Sequence, residues 1–204
     1  MTAKPAFSRA EPDARRQSLI AATARVLARD GATGASVRAI AVEAGVSPGL
    51  VGHYFAGVDA LVAETYAAVG QQVHVALAAA VEAAGDDPRD RVAAYVTASF
   101  APPIADRGLF ATWIAFWSLS AKPIIAARHD ALYQAYRDDL EALLAACELP
   151  AAERRLAAIA ITALVDGLWL ELCLSPGAFT PDEASRLAER QLETYFDRSA
   201  NSSR

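Results

Sequence analysis

Cysteine, methionine and histidine are scarce in this chain of 204 residues, which has two, one and three of them. Two cysteines cannot build a disulfide framework, and Cys147 and Cys173 fall in apolar stretches where a small buried side chain is the plain reading. His53, His74 and His129 stand on separate segments, and none has a second ligand at the i+3 or i+4 spacing of a metal site. Glycine-rich phosphate loops are missing, and Ser118, Ser120 and Cys173 have no base readable beside them, which removes the usual signatures of a small enzyme. No metal and no cofactor is expected. Apolar and polar residues nowhere alternate with a period of two, so strands are not expected either. No positively charged leader precedes an apolar run, which predicts a chain without a secretory signal, at work in the cytoplasm. The stretch 156–174 is apolar enough to suggest a membrane span, but Asp166 sits near its middle and Glu171 close behind. Each carboxylate would cost ~2.5–3.5 kcal/mol at a bilayer centre, so the stretch reads as a buried or interface helix and no membrane partner is expected.

What is abundant is apolar residues, 54% of the chain, recurring at helical spacing between Pro and Gly punctuation. The expected fold is all-α with about nine helices. They run from about Asp13 to Arg29, across two short helices between Ser36 and Phe55, then from about Val58 to Ala84, Pro88 to Ala101, Ile104 to Ser120 (with a break or fresh start near Gly108), Pro123 to Ala146, Pro150 to Leu174 and Pro181 to Asp197. The expected organisation is an N-terminal arm and three-helix domain over 1–57, a second helical domain over 58–197, and a disordered tail over 198–204. Charge is uneven. Residues 1–60 carry seven Lys and Arg against five Asp and Glu, a balance of +2 that leaves −7 for the rest. A basic end on an acidic body suits a protein that presents one face to DNA, and Lys4 with Arg9 could form an arm reaching into a minor groove.

Residues 36–55 carry the most information. Ser36 is a good N-cap, Val37, Ile40, Ala41 and Ala44 form an apolar face, and Gly45 ends the helix. Val46 plugs the turn, Ser47 caps a second helix and Pro48 occupies its first position, where a missing N–H costs nothing. Two capped helices joined by a glycine turn read as a helix-turn-helix whose second helix approaches base edges, although a plain helical hairpin has the same outline.

Asp13 to Leu61 resembles the DNA-binding domain of TetR-family transcriptional regulators. Thr33 to Ala41 matches the loop and second helix of that family, and Ala44-Gly45-Val46-Ser47 with His53-Tyr54-Phe55 its turn and recognition helix. The resemblance implies phosphate contacts from Ser36, Arg38, Ser47, His53 and Tyr54, and places Pro48, Gly49 and Leu50 toward the bases. None of those three can make a bidentate base contact, so specificity would rest on methyl contacts and DNA shape. Val58 stands where the family usually has lysine, which removes one expected phosphate contact.

A second resemblance covers the rest of the chain. Trp113-Ile114-Ala115-Phe116-Trp117 and Ala163 to Leu170 are similar to the choline-responsive repressor subgroup (BetI type) of that family. Trp113, Phe116 and Trp117 fall at i, i+3 and i+4 and project from one helix face, with Tyr95, Trp169 and Glu171 available from helices that the family fold packs around it. Such a face is often plain core. All three tryptophans nevertheless concentrate in this domain, beside Asp166 and Glu171, and aromatic faces with carboxylates attract a desolvated cation. The expected inducer is therefore a small cationic or choline-like molecule, with a hydrophobic or lipid-like one as the alternative. Asp166-Gly167 inside an apolar helix marks an expected dimer interface, because glycine there costs ~1 kcal/mol against alanine and a close helix approach would compensate. Together these readings predict a homodimeric, ligand-responsive repressor on a palindromic double-stranded operator. The alternative is a small-molecule-binding helical protein or enzyme without DNA function.

Overall fold

The computed structural model describes residues 10–202, all of whose regular structure is helical. The arm residues Lys4 and Arg9 lie outside the described residues. Nine α-helices follow in order: α1 Ala10–Gly34, α2 Val37–Glu43, α3 Pro48–Tyr54, α4 Val58–Ala83, α5 Pro88–Thr97, α6 Arg107–Ser118, α7 Pro123–Ala146, α8 Ala151–Leu174 and α9 Pro181–Ser202.

The caps act as their chemistry requires. Ser36 Oγ accepts from the Ala39 amide at 3.1 Å and Ser47 Oγ from that of Leu50 at 3.4 Å. At the turn between them Gly45 takes φ +66, a region costly for other residues, and the Val46 amide closes back on the Ala41 carbonyl at 2.9 Å. Asp87, Asp106 and Thr180 start α5, α6 and α9 in the same manner.

Four boundaries depart from expectation. α1 continues past Arg29 to Gly34, with a kink where Gly31 takes φ +68. α5 stops at Thr97 and gives way to a 3₁₀ turn over Ala98–Phe100. Pro102 and Pro103 have no N–H for the Ala98 and Ser99 carbonyls, and the Ser99 carbonyl accepts instead from the Trp169 indole at 3.0 Å. α6 starts at Arg107 because Asp106 caps it, so Gly108 lies in its first turn rather than at a break. α9 runs on to Ser202, beyond the end expected at Asp197.

Two cores form. Leu19, Ile20, Ala22, Val26, Ile40, Ala41, Val51, Phe55 and Leu61 close the small N-terminal bundle of α1, α2, α3 and the start of α4. The larger core gathers α4 to α9 around Tyr66, Trp113, Phe116, Ile125, Leu144 and Ile161. Its reach extends back to Leu27 on α1, and the buried Thr112 hydroxyl on α6 shares its one hydrogen between the Gly108 carbonyl of its own helix at 2.8 Å and the Ala24 carbonyl of α1 at 3.2 Å. α8 is long and apolar enough to cross a membrane by composition, yet it packs on α6, α7 and α9.

Candidate nucleic-acid interface and ligand cavity

The N-terminal surface places α3 with its first turn in the open. Ser47, Pro48, Gly49 and His53 are exposed, Leu50 and Tyr54 half-buried, and Ser36 and Arg38 exposed at the start of α2. Val51 and Phe55 hold α3 down from behind. A Cβ built on Gly49 or Gly52 would meet nothing within 4 Å, so packing does not demand glycine there. What glycine leaves is a smooth surface on which a duplex can come close. His53 and Tyr54 meet edge to face, with centroids 5.2 Å apart. Val58 is half-buried and packs against both cores, so its apolar side chain serves the junction between them.

In the second domain, Val73 and Leu77 of α4, Tyr95 of α5, Trp113 of α6, Tyr133, Tyr136 and Leu140 of α7, and Ile161, Val165, Asp166 and Trp169 of α8 enclose a cavity of about 50 Å³. Tyr133 organises it. Its hydroxyl accepts from the Trp113 indole at 3.0 Å and the Trp117 indole at 3.1 Å, and donates to Asp166 Oδ1 at 3.0 Å. A hydroxyl has one hydrogen and two lone pairs, so all three are used. Burial raises the Tyr133 hydroxyl far above its ordinary range, with the Asp166 charge adding to the shift, and so keeps it a neutral donor. Burial pushes the Asp166 carboxyl up to about 7, opposed by the bond from Tyr133. The other tips point away from the cavity: Tyr136 donates to the Gly70 carbonyl at 3.2 Å and Tyr95 to Asp139 at 3.4 Å. A guest meets aromatic rings, aliphatic side chains, Ser99, Thr162 and one carboxyl, that of Asp166.

The sequence-predicted ligand residues divide. Tyr95, Trp113 and Trp169 line the cavity. Trp117 stands behind it, holding Tyr133. Phe116 is wholly buried and stacks on Tyr66 with centroids 4.2 Å apart, so it is packing. Glu171 is exposed on the far side of α8, and Asp166, expected at the interface, is the acid that faces the cavity. The two carboxylates face different ways because five residues rotate a helix by about 140°. Tyr133 and Tyr136 were missed, although His129, Tyr133 and Tyr136 at spacings of four and three mark one face of α7. His129 stacks on Tyr133 at 4.0 Å, pairs with the Tyr66 hydroxyl at 2.9 Å, and is lowered by burial below its ordinary pKa.

Gly167 lies on the opposite, exposed face of α8, where an added Cβ would meet nothing within 4 Å. Leu156 at 65% exposure and Leu174 at 67% share that outer surface, and Leu187 at 47% lies exposed on neighbouring α9. A wider depression, about 920 Å³, is an open groove between α4, the α5–α6 connection and the start of α9. Alanine and proline make up half of its lining, with Gln71, Gln72, Thr97, Asp182 and Ser185 as the polar side chains.

Residues 19–65 match the bacterial regulatory proteins of the tetR family, and residues 88–197 match the C-terminal domain of BetI-type transcriptional repressors. The HTH-type transcriptional regulator BetI of Burkholderia thailandensis is 35% identical over 180 residues, which is 88% of this chain and 92% of that protein. A transcriptional regulator from Pseudomonas aeruginosa PAO1, 40% identical, superposes with a TM-score of 0.82 over 95% of both chains. Another, from Saccharomonospora viridis and solved in complex with choline, shares the fold at a TM-score of 0.75 and 19% identity, over 89% of this chain and 96% of that one.

Proposed function

The chain belongs to the TetR family of bacterial regulatory proteins, and we propose that its BetI-type C-terminal domain senses a small quaternary ammonium cation of the choline kind. It is a DNA-binding, ligand-responsive transcriptional regulator and not an enzyme. The observation that carries the ligand reading is the cage: Tyr95, Trp113, Tyr133, Tyr136 and Trp169 around the Asp166 carboxyl. Each ring face contributes ~0.5–2 kcal/mol toward a desolvated cation, and the carboxylate supplies the opposite charge that the guest needs once water is stripped away. The structural neighbour that holds choline lends support on the same fold.

The cavity, at about 50 Å³, is far below the roughly 300 Å³ at which ordinary ligand sites begin. A trimethylammonium head therefore has to part the walls. Two walls also touch the DNA-binding domain: α4, which carries Val73 and Leu77 and runs into the N-terminal bundle at Leu61, and α6, which packs on α1 around Thr112 and Ala24. Our reading is a repressor: the tight cage accompanies operator binding, and a guest that spreads Trp113 outward shifts α1 and releases the DNA.

Ser36, Arg38, Ser47, His53 and Tyr54 serve as the phosphate contacts in this reading, with Pro48, Gly49 and Leu50 facing the bases. Two copies joined through the exposed faces of α8 and α9 would set two α3 helices about one turn of B-DNA apart, or somewhat more, on a palindromic site.

Titration with choline and with its neutral isostere 3,3-dimethylbutanol, followed by tryptophan fluorescence, tests the cage. Saturable quenching by choline alone is expected. Quenching by the neutral alcohol with none from choline would overturn the cation reading and favour an apolar guest, while leaving the regulator assignment intact.

A further inference from the structure

The N-terminal domain has fewer usable cations than its composition implies. Arg25 and Arg29 both bind Glu43 at 2.7 Å, Arg29 also holds Asp30 at 2.9 Å, and Arg16 reaches Glu64 at 3.3 Å with its guanidinium over the Phe55 ring. A guanidinium held in such charge-assisted bonds must give one up before it can reach a phosphate. Among the described basic side chains before Val58, that leaves Arg38 and Arg15, for neither of which a described carboxylate lies within 4.0 Å. Arg38 already belongs to the candidate interface. Arg15 does not.

Arg15 and Ser18 are exposed and lie at i and i+3, hence on one face of α1. With Ala14 and Leu19 they form one wall of a cleft of about 380 Å³, whose other wall is Ala44, Gly45 and Val46 of the turn and Leu50 of α3. A major groove is about 12 Å wide and a helix with its side chains about 10–12 Å across, so a helix in the groove fills it. Whatever stands beside that helix, across a cleft from its first turn, meets the sugar-phosphate rim rather than the bases. Arg15 stands there.

We propose that Arg15, with the Ser18 hydroxyl beside it, grips a DNA phosphate next to the base pairs that α3 faces, so that α1 docks on the duplex together with the helix-turn-helix. This rests on α3 being the helix that enters the groove. Such a contact fixes the register of the protein on DNA and reads no sequence.

The test uses an operator duplex selected from a randomised library by the wild-type protein, with affinity followed by fluorescence anisotropy between about 50 and 200 mM salt. Arg15→Gln is expected to flatten the slope of log K against log salt by about 0.9 for each protomer bound. Arg15→Lys, which keeps the charge, is expected to restore most of it. Arg25→Gln removes a guanidinium already committed to Glu43 and is expected to leave the slope at the wild-type value. Base substitutions in the operator should weaken wild type and Arg15→Gln by the same factors. A wild-type slope in Arg15→Gln, beside a Gly49→Glu variant that no longer binds, overturns the Arg15 assignment alone. Full affinity in Gly49→Glu overturns the placement of α3, and this inference with it.

Discussion

The Asp166 carboxyl keeps its proton up to about pH 7 in the folded chain, whereas an unfolded chain releases it near the ordinary value of 3.8. The folded state thus holds the proton more tightly. Its contribution to stability is complete below pH 4 and is lost as the pH rises through 7. Asp166→Asn should abolish that part of the decline, and urea unfolding of both proteins between pH 4 and 8 measures it; identical slopes would show that Asp166 is not the group responsible. The same proton competes with a cationic guest. Below about pH 7 choline has to expel it, so its Kd should weaken about tenfold per pH unit, and above pH 7 it should level off. Calorimetry in buffers of different ionisation enthalpy would detect the released proton. Tyr133→Phe removes the hydroxyl that serves Trp113, Trp117 and Asp166 together. Leaving buried polar groups without a partner costs ~1–3 kcal/mol each, so thermal unfolding should register a loss of at least that size. A variant as stable as wild type would show that water replaces the hydroxyl.

Among the helices, α8 shows how far a helix pattern can be read without its neighbours. Its limits are plain in the sequence, from Pro150 before it to Ser175-Pro176-Gly177 after it, and so is its apolar character. Its rotation about its own axis is not. Asp166 and Gly167 are adjacent yet about 100° apart, so one faces the cavity and the other the open side, and only packing on α6, α7 and α9 decides which. The caps of α2 and α3 were legible because Ser36 and Ser47 act within three residues of themselves, whereas the cap that starts α6, Asp106, was passed over. The end of α5 was placed at Pro102-Pro103, which lack the N–H groups that the Ala98 and Ser99 carbonyls would need, but the 3₁₀ turn that precedes it was not read. Gly167 permits a direct test of the proposed pairing. A leucine there has room within one subunit but would overpack a second helix laid against it, costing ~1–3 kcal/mol. Light scattering is expected to give twice the chain mass for wild type and a shift toward monomer for Gly167→Leu; a wild-type monomer at micromolar concentration would remove the dimer from the proposal.

Across the whole molecule, the cavity and the DNA surface are joined by the packing of α1 on α6 and α4. Within that junction the Thr112 hydroxyl lies 3.2 Å from the Ala24 carbonyl, and the Lys122 ammonium holds Asp59 at the start of α4 at 2.5 Å. Thr112→Val keeps the side-chain volume and deletes the hydroxyl. It should leave choline affinity within about twofold of wild type while reducing the ability of choline to displace DNA, read by mobility shift with and without choline. Unchanged displacement would place the coupling elsewhere, with the Lys122 contact next in line.

The junction itself has a consequence for anyone recombining such regulators. α4 is 26 residues long, about 39 Å, and consecutive residues on it serve different cores: Leu61 belongs to the small one, while Val62, Ala63 and Tyr66 belong to the large one. No peptide bond along its first turns can be cut and rejoined to a foreign sensor without carrying half of each core into the wrong partner. A DNA reader and a sensor from two relatives can therefore be exchanged only if the crossover moves upstream of Val58 and the surfaces of α1 around Ala24 and Leu27 travel with the sensor.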